Sequence, residues 1–141
     1  MALTHVPDPE VLVHDFGPWA LCLNRNQDLI GRCYLLLRRP CTDPLAITPQ
    51  EQTALWTCAA KSKASLTRLF APDHWNYAFL MNVDPQVHFH LIPRYRTARS
   101  FRGAEFSDPQ FGKHYPLGPD RNLDSETLAA LRVALTRSLD V

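Results

Sequence analysis

Two histidines, His88 and His90, stand one residue apart in the segment Gln86-Val-His-Phe-His-Leu-Ile92. On an extended strand side chains alternate between faces, so Val87, Phe89 and Leu91 go to the core while Gln86, His88 and His90 share the opposite side. Residues two apart on a strand are separated by ~6.6 Å, which lets two imidazoles flank a group the size of a phosphate. A histidine's ordinary pKa, near ~6.5, leaves much of the ring neutral at neutral pH, so one imidazole can attack phosphorus while the other donates hydrogen bonds. Attack gives a phosphoramidate that is itself labile to water, and one hard displacement becomes two easier ones. The attacking nitrogen must be unprotonated and aimed outward, so the other ring nitrogen must give its hydrogen to a fixed acceptor such as a backbone carbonyl. Two further readings of the same spacing stay open at this point: paired ligands of a metal, or histidines that are merely packed and satisfied.

The elements that must hold this pair can be read from the pattern of apolar residues. Val11–Val13, Trp19–Asn24 and Cys33–Leu37 are short apolar runs bounded by Gly, Pro, Asn or Asp, the mark of strands, and the loop Arg25–Gly31 suits an antiparallel reversal. Thr48-Pro-Gln-Glu51 starts a helix, with Thr48 as cap, Pro49 in the first turn and Glu51 completing a capping box. Its apolar positions Leu55, Trp56, Ala59, Leu66, Leu69 and Phe70 recur at helical spacing, and Pro72 stops it, so one face packs on the sheet. Asn76–Asn82 and Gln86–Ile92, separated by Val83-Asp84-Pro85, read as a second antiparallel pair. From Arg94 to Pro119 the chain is rich in Gly, Pro and polar residues, an irregular segment expected to wrap the surface. A last helix is expected from Ser125 to Leu139, with Leu128, Leu131 and Leu135 on one face. The fold class is therefore α+β: an antiparallel sheet of about five strands, one long helix packed on it and a C-terminal helix.

Composition limits the classes of function. A chain of 141 residues is read as one domain, with a core over about 11–96 and a C-terminal wrap and helix over 97–141. Apolar residues are 45% and charged residues 21%, the balance of a globular protein. No run approaches the ~20 apolar residues of a membrane span, and the first residues lack a signal peptide's basic flank and apolar stretch, so no membrane association is expected and the cytosol is the expected compartment. Cys22, Cys33, Cys41 and Cys58 have no C-x-x-C spacing and read as reduced core thiols. A formal charge of +1 speaks against a nucleic-acid binder. The run Arg94 to Arg102, which holds four arginines and no acid directly after the histidines, reads either as a local anion site or as a solvated basic loop.

The run Gln86-Val-His88-Phe-His90-Leu-Ile-Pro-Arg94 resembles the histidine-triad (HIT) pattern His-φ-His-φ-His-φ-φ-Pro-Arg, φ being apolar, with its first histidine replaced. The flanks agree: Ala78-Phe-Leu-Met-Asn82 resembles the family's strand ending in Asn. Leu21-Cys-Leu-Asn24-Arg25 with Gly31-Arg-Cys-Tyr-Leu-Leu-Leu-Arg-Arg-Pro40 resembles its first hairpin, and Thr48-Pro-Gln-Glu51 its helix start. The likeness spans about residues 11 to 96 and implies a HIT-like fold, of the branch that resembles diadenosine polyphosphate hydrolases.

The resemblance implies that His88 is the nucleophile and His90 binds the transferred phosphoryl group. It implies that Asn24 contacts the ribose and Asn82 lines the phosphate or leaving-group side, punctuation of strand ends being the alternative for both asparagines. Gln86, in the first histidine's place, can support its neighbours through hydrogen bonds but supplies no charge, which favours leaving groups that depart as a stable phosphate. Family members commonly carry a longer loop before the histidines, sometimes with a Ser that touches phosphate. Val83-Asp84-Pro85 replaces it here, so Arg94, Arg96, Lys113 and His114 are candidates for those contacts, with Phe111–Tyr115 folding back over the site. The implied activity is hydrolysis of a dinucleoside polyphosphate such as diadenosine tetraphosphate, or of another nucleoside monophosphate ester, anhydride or amide, through a covalent nucleotidyl-histidine. A nucleotidyl transferase or phosphorylase and a decayed nucleotide-binding module are the alternatives. No cofactor and no protein-bound metal are expected, a divalent cation arriving only with the nucleotide. The resemblance also implies a homodimer.

Overall fold

Five strands form one antiparallel sheet: β1 (Leu12–Asp15), β2 (Trp19–Leu23), β3 (Cys33–Leu37), β4 (His74–Ala78) and β5 (His88–Arg94), in the order β1-β2-β3-β5-β4. The computed structural model describes residues 3–141. β2 and β3 are the buried centre, and their apolar runs without polar alternation reflect cover on both sides. Helix α1 (Pro49–Phe70) lies on one face, and α2 (Ser125–Ser138) packs on α1 and β1.

The start of α1 follows from its residues. The Thr48 hydroxyl accepts from the Glu51 amide at 3.1 Å, and the Glu51 carboxylate accepts from the Thr48 amide at 2.8 Å. The helix ends at Ala71, left-handed with φ 46°, just before Pro72. Its buried face is Leu55, Cys58, Ala59, Ser62, Ser65, Leu66 and Phe70. Trp56 and Leu69, expected on that face, are instead 62% and 37% exposed. The buried serines return their hydroxyls to carbonyls, Ser62 to Cys58 at 2.8 Å and Ser65 to Leu135 of α2 at 3.1 Å, so the two helices meet on small satisfied residues. At Gly31 the β2–β3 loop passes α1 with φ +90°, and a Cβ there would lie 2.6 Å from Leu66 Cδ2.

Other boundaries depart from the sequence reading. β4 ends at Ala78, and Phe79–Asn82 leave the sheet. The segment expected to be irregular contains a second, two-stranded sheet, β6 (Arg99–Phe101) and β7 (Ala104–Phe106). Arg102 and Gly103, both at positive φ, make its two-residue turn.

The C-terminal wrap is pinned to the sheet by Arg94. Its guanidinium, 2% exposed, donates Nε and Nη2 to the two oxygens of Asp108 at 2.7 and 3.1 Å. Its remaining hydrogens go to Asn76 Oδ1, Lys113 O and Gln110 O at 2.7–2.9 Å. All five N–H donors of the fork are engaged, the arrangement a buried cation requires.

Candidate active site

Strand alternation sets the site's position. Phe89 turns to the α1 side, its ring edge-on to Trp56 at 5.9 Å, and His88 and His90 therefore turn to the sheet's other face. Their ring centroids are 4.7 Å apart. Tyr34 pairs with His90 across β3–β5, and its ring stands 5.8 Å from that of His88 and 6.3 Å from that of His90. All three line a cleft of about 740 Å³ whose far wall is the segment before β1.

The main chain holds the His88 ring. Its Nδ1 lies 2.7 Å from the carbonyl oxygen of Gln86. A carbonyl only accepts, so Nδ1 carries the hydrogen, and in the neutral ring Nε2 is then the nitrogen with the lone pair. His88 itself is only 6% exposed, and what it meets on the open side is the cleft rather than packed hydrocarbon.

His90 is electrically different. Burial, then the neighbouring His88 and the Arg32 guanidinium, push its pKa down to about 4, so the ring is neutral at neutral pH. Its Nδ1 is buried and has no hydrogen-bond partner among the described residues, and the same holds for Arg32 Nε and Asp28 Oδ2 of the adjoining ion pair. Burial also raises the Tyr34 phenol well above its ordinary range, so it remains protonated and can donate.

The wall facing the histidines is acidic. Asp8, Glu10 and Asp84 line the cleft, with Arg25 as the one arginine among its lining residues. Arg25 is bound at 2.5 Å to Asp8 and at 3.3 Å to Glu10. The Glu10 amide and then Arg25 hold the Asp8 carboxyl below the usual carboxylate range. Asp84 accepts from the Leu3 amide at 2.7 Å, joining the early segment to the loop before β5.

No protein-family model and no curated protein matches the chain. Solved structures do. A histidine triad protein from Bradyrhizobium japonicum superposes with a TM-score of 0.68 at 22% identity, covering 92% of this chain and 90% of that one. One from Sinorhizobium meliloti gives 0.71 at 18%, with 92% and 89% covered. A hypothetical histidine triad nucleotide-binding protein from Sulfolobus tokodaii gives 0.67 at 13%, with 91% and 82% covered. The fold is that of the histidine-triad proteins.

Within this histidine-triad fold Gln86 faces away from chemistry. Its Nε2 donates to Leu37 O at 3.0 Å and Arg39 O at 2.8 Å, and its Oε1 accepts from the Cys41 amide at 3.3 Å. The side chain ties the segment after β3 to the start of β5. The backbone of the same residue orients His88.

Asn24 lines the cleft at the end of β2 and also serves a turn, since its Oδ1 accepts from the Asn26 amide at 3.1 Å. Three other expectations are corrected. Asn82 is exposed and outside the cleft, because the chain leaves the sheet at Phe79, and Asp84 stands at the cleft instead. Arg94 has no donor left for a phosphate. Lys113 and His114 are exposed and outside the cleft lining, the stretch Phe111–Tyr115 having closed over Arg94 rather than over the histidines.

The basic run does not line the cleft, and Arg96 and Arg102 are exposed, as a solvated loop would have them. Arg96 lies over the Phe111 ring at 4.8 Å, Arg99 caps the end of α1 through Phe70 O and Ala71 O, and Arg102 reaches Glu126. Among the described residues no group of three or more His, Cys, Asp or Glu is placed to hold a metal ion. The sequence reading missed Tyr34 and the acidic wall. Register could have found Tyr34, since it belongs to the β3 set that faces the histidines. Asp8 and Glu10 come from far along the chain, and Asp84, in the loop just before β5, carries no local signal that it turns toward the histidines.

Proposed function

We propose that this chain hydrolyses a nucleotide at its nucleoside monophosphate phosphorus, the substrate being a dinucleoside polyphosphate or another ester, anhydride or amide. His88 is the nucleophile. The 2.7 Å contact between His88 Nδ1 and Gln86 O carries this reading, because it fixes the tautomer that attack at phosphorus requires. Attack forms a bond from Nε2 to phosphorus and expels the leaving group, and the imidazolium charge that develops faces the Gln86 carbonyl. Water then breaks the phosphorus–nitrogen bond and releases the nucleoside monophosphate and neutral His88. His90 binds the transferred phosphoryl group, and the Tyr34 ring that lines the cleft beside it supports this reading. Asn24 takes the ribose. No bound cofactor is required, and a divalent cation enters only with the nucleotide.

His88→Asn tests this. Turnover of a nucleotide substrate should fall by roughly four orders of magnitude, because the covalent route is gone. Unchanged turnover removes the proposal. Nucleoside diphosphate formed when phosphate is added would mark a phosphorylase.

The reading includes a two-fold dimer. β4 is an edge strand with an unpaired side. Beside it Tyr77 stacks on Phe89, the ring that Trp56 of α1 also touches, and both Tyr77 and Trp56 are exposed. Light scattering of wild type and Tyr77→Lys reads the mass directly. The four cysteines are free, which suits a reducing compartment such as the cytosol, and no helix among the described residues is long and apolar enough to cross a membrane.

A further inference from the structure

The far wall of the cleft, residues 3–10, is held differently from the rest of the molecule. None of these residues is buried, and none belongs to a helix or strand. The first anchored position is Val11, 2% exposed, whose carbonyl accepts from the Leu23 amide of β2 at 2.8 Å. Before Val11, each hydrogen bond from the segment to the body of the protein uses a charged side chain. Asp84 accepts from the Leu3 amide at 2.7 Å, Arg38 donates to His5 O at 3.1 Å, Arg132 donates to Pro9 O, and Arg25 joins Asp8 and Glu10. A segment that buries no side chain and hangs on exposed charged contacts opens at little cost, because such pairs are individually weak and screened by salt.

Arg25 stands where this segment meets the sheet. It follows Asn24 at the end of β2, its side chain is half exposed, and it is the one arginine or lysine among the residues lining the cleft with His88 and His90. Neighbouring guanidiniums are committed elsewhere: Arg32 to Asp28, Arg38 to Asp15, Arg39 to Glu51 and Arg94 to Asp108. A guanidinium fork takes a phosphate in the geometry in which it takes a carboxylate. A phosphate monoester in the cleft therefore competes with Asp8 and Glu10 for one cation. With a charge of about −1.5 to −2 at neutral pH, it also repels both carboxylates.

We propose that residues 3–10 form a strap, latched across the cleft by Arg25, and that an incoming phosphate opens it by taking Arg25 from Asp8 and Glu10. This rests on the reading that the cleft receives a nucleotide's phosphate, and it adds to that reading a phosphate ligand and a gate. The strap swings about the turn at Asp8, whose carbonyl accepts from the Val11 and Leu12 amides, and the Leu3 amide parts from Asp84. When the product leaves, Arg25 returns to the two acids and the strap shuts.

Adenosine monophosphate (AMP) and adenosine are suitable probes, since neither is turned over. Each is titrated into the full chain while the imidazole resonances of His88 and His90 and the amide exchange of residues 3–12 are followed. In the wild-type protein AMP should speed exchange of the strap by about threefold or more, and adenosine should leave it unchanged. Asp8→Asn with Glu10→Gln frees Arg25 in advance, so AMP should bind roughly fivefold tighter. Arg25→Met undoes the same ion pairs, yet AMP should bind about tenfold more weakly because its ligand is gone. In both variants the strap should exchange fast without AMP and no faster with it. AMP that perturbs the histidines while leaving strap exchange unchanged or slower would overturn the gate, as would a shift of affinity in the same direction in both variants, and either result leaves the cleft reading standing. An AMP titration with no change at His88 or His90 removes that reading and the strap with it.

Discussion

His88 Nδ1 lies 2.7 Å from the carbonyl oxygen of Gln86, two residues back along the chain. One residue thus orients the His88 ring through its backbone and ties neighbouring segments together through its side chain. The glutamine side chain at position 86 carries no charge and leaves the backbone contact that sets the His88 tautomer undisturbed.

Gln86→Ala separates these roles. It leaves Leu37 O, Arg39 O and the Cys41 amide short of a partner, a loss of about 2–4 kcal/mol in stability, readable as a shifted urea midpoint. The residue 86 carbonyl remains, so kcat should change by less than about tenfold, far less than for His88→Asn.

Arg94 is a structural cation, and its removal acts on folding. Arg94→Met strands Asp108 in a buried position and should cost about 3–5 kcal/mol. The double variant Arg94→Met, Asp108→Leu should lose less than the two single costs combined, as a double-mutant cycle will read. At temperatures where the variants stay folded, KM for the nucleotide should match wild type.

His90 gives stability a pH dependence of known sign. Its folded pKa, about 4, lies below the ordinary 6.5, so the unfolded chain binds the extra proton first. The stability is present above the unfolded pKa and is lost as pH falls from about 6.5 toward 4, by up to about 3 kcal/mol. Chemical denaturation of His90→Gln between these limits should show a flatter curve than wild type. The carboxylates held low by hydrogen bonds, such as Asp8 and Asp124, act at lower pH and stay in both proteins.

Gly31→Ala should cost about 2 kcal/mol or more, because the φ is +90° and the new Cβ meets Leu66. Thermal unfolding reads this as a lower Tm with unchanged catalysis.

The architecture was legible where local rules suffice. The capping box at Thr48, the alternation of His88, Phe89 and His90 and the stop at Pro72 are properties of neighbouring residues and stand as read, whereas Gln86 precedes β5 and does not line the cleft. Trp56 was misplaced because helical periodicity marks an apolar residue without showing how much of it the neighbouring elements cover. Asn82 was misplaced because an apolar run does not reveal where its strand stops pairing. Arg94 looked like an anion ligand while its partner, Asp108, lay fourteen residues away in a loop with no helical or strand period. The acidic wall is assembled by contacts such as Leu3 with Asp84, across most of the chain. Pairings of that kind are decided by tertiary packing.

The most direct test of the account is capture of the intermediate. The protein is mixed with a nucleotide substrate, denatured within the first turnover at alkaline pH, digested and weighed. A nucleoside monophosphate adduct should sit on the His88 peptide and be absent from His88→Asn. Steady turnover with no adduct, and inversion of configuration at phosphorus, would mean that water attacks directly and that His88 is not the nucleophile.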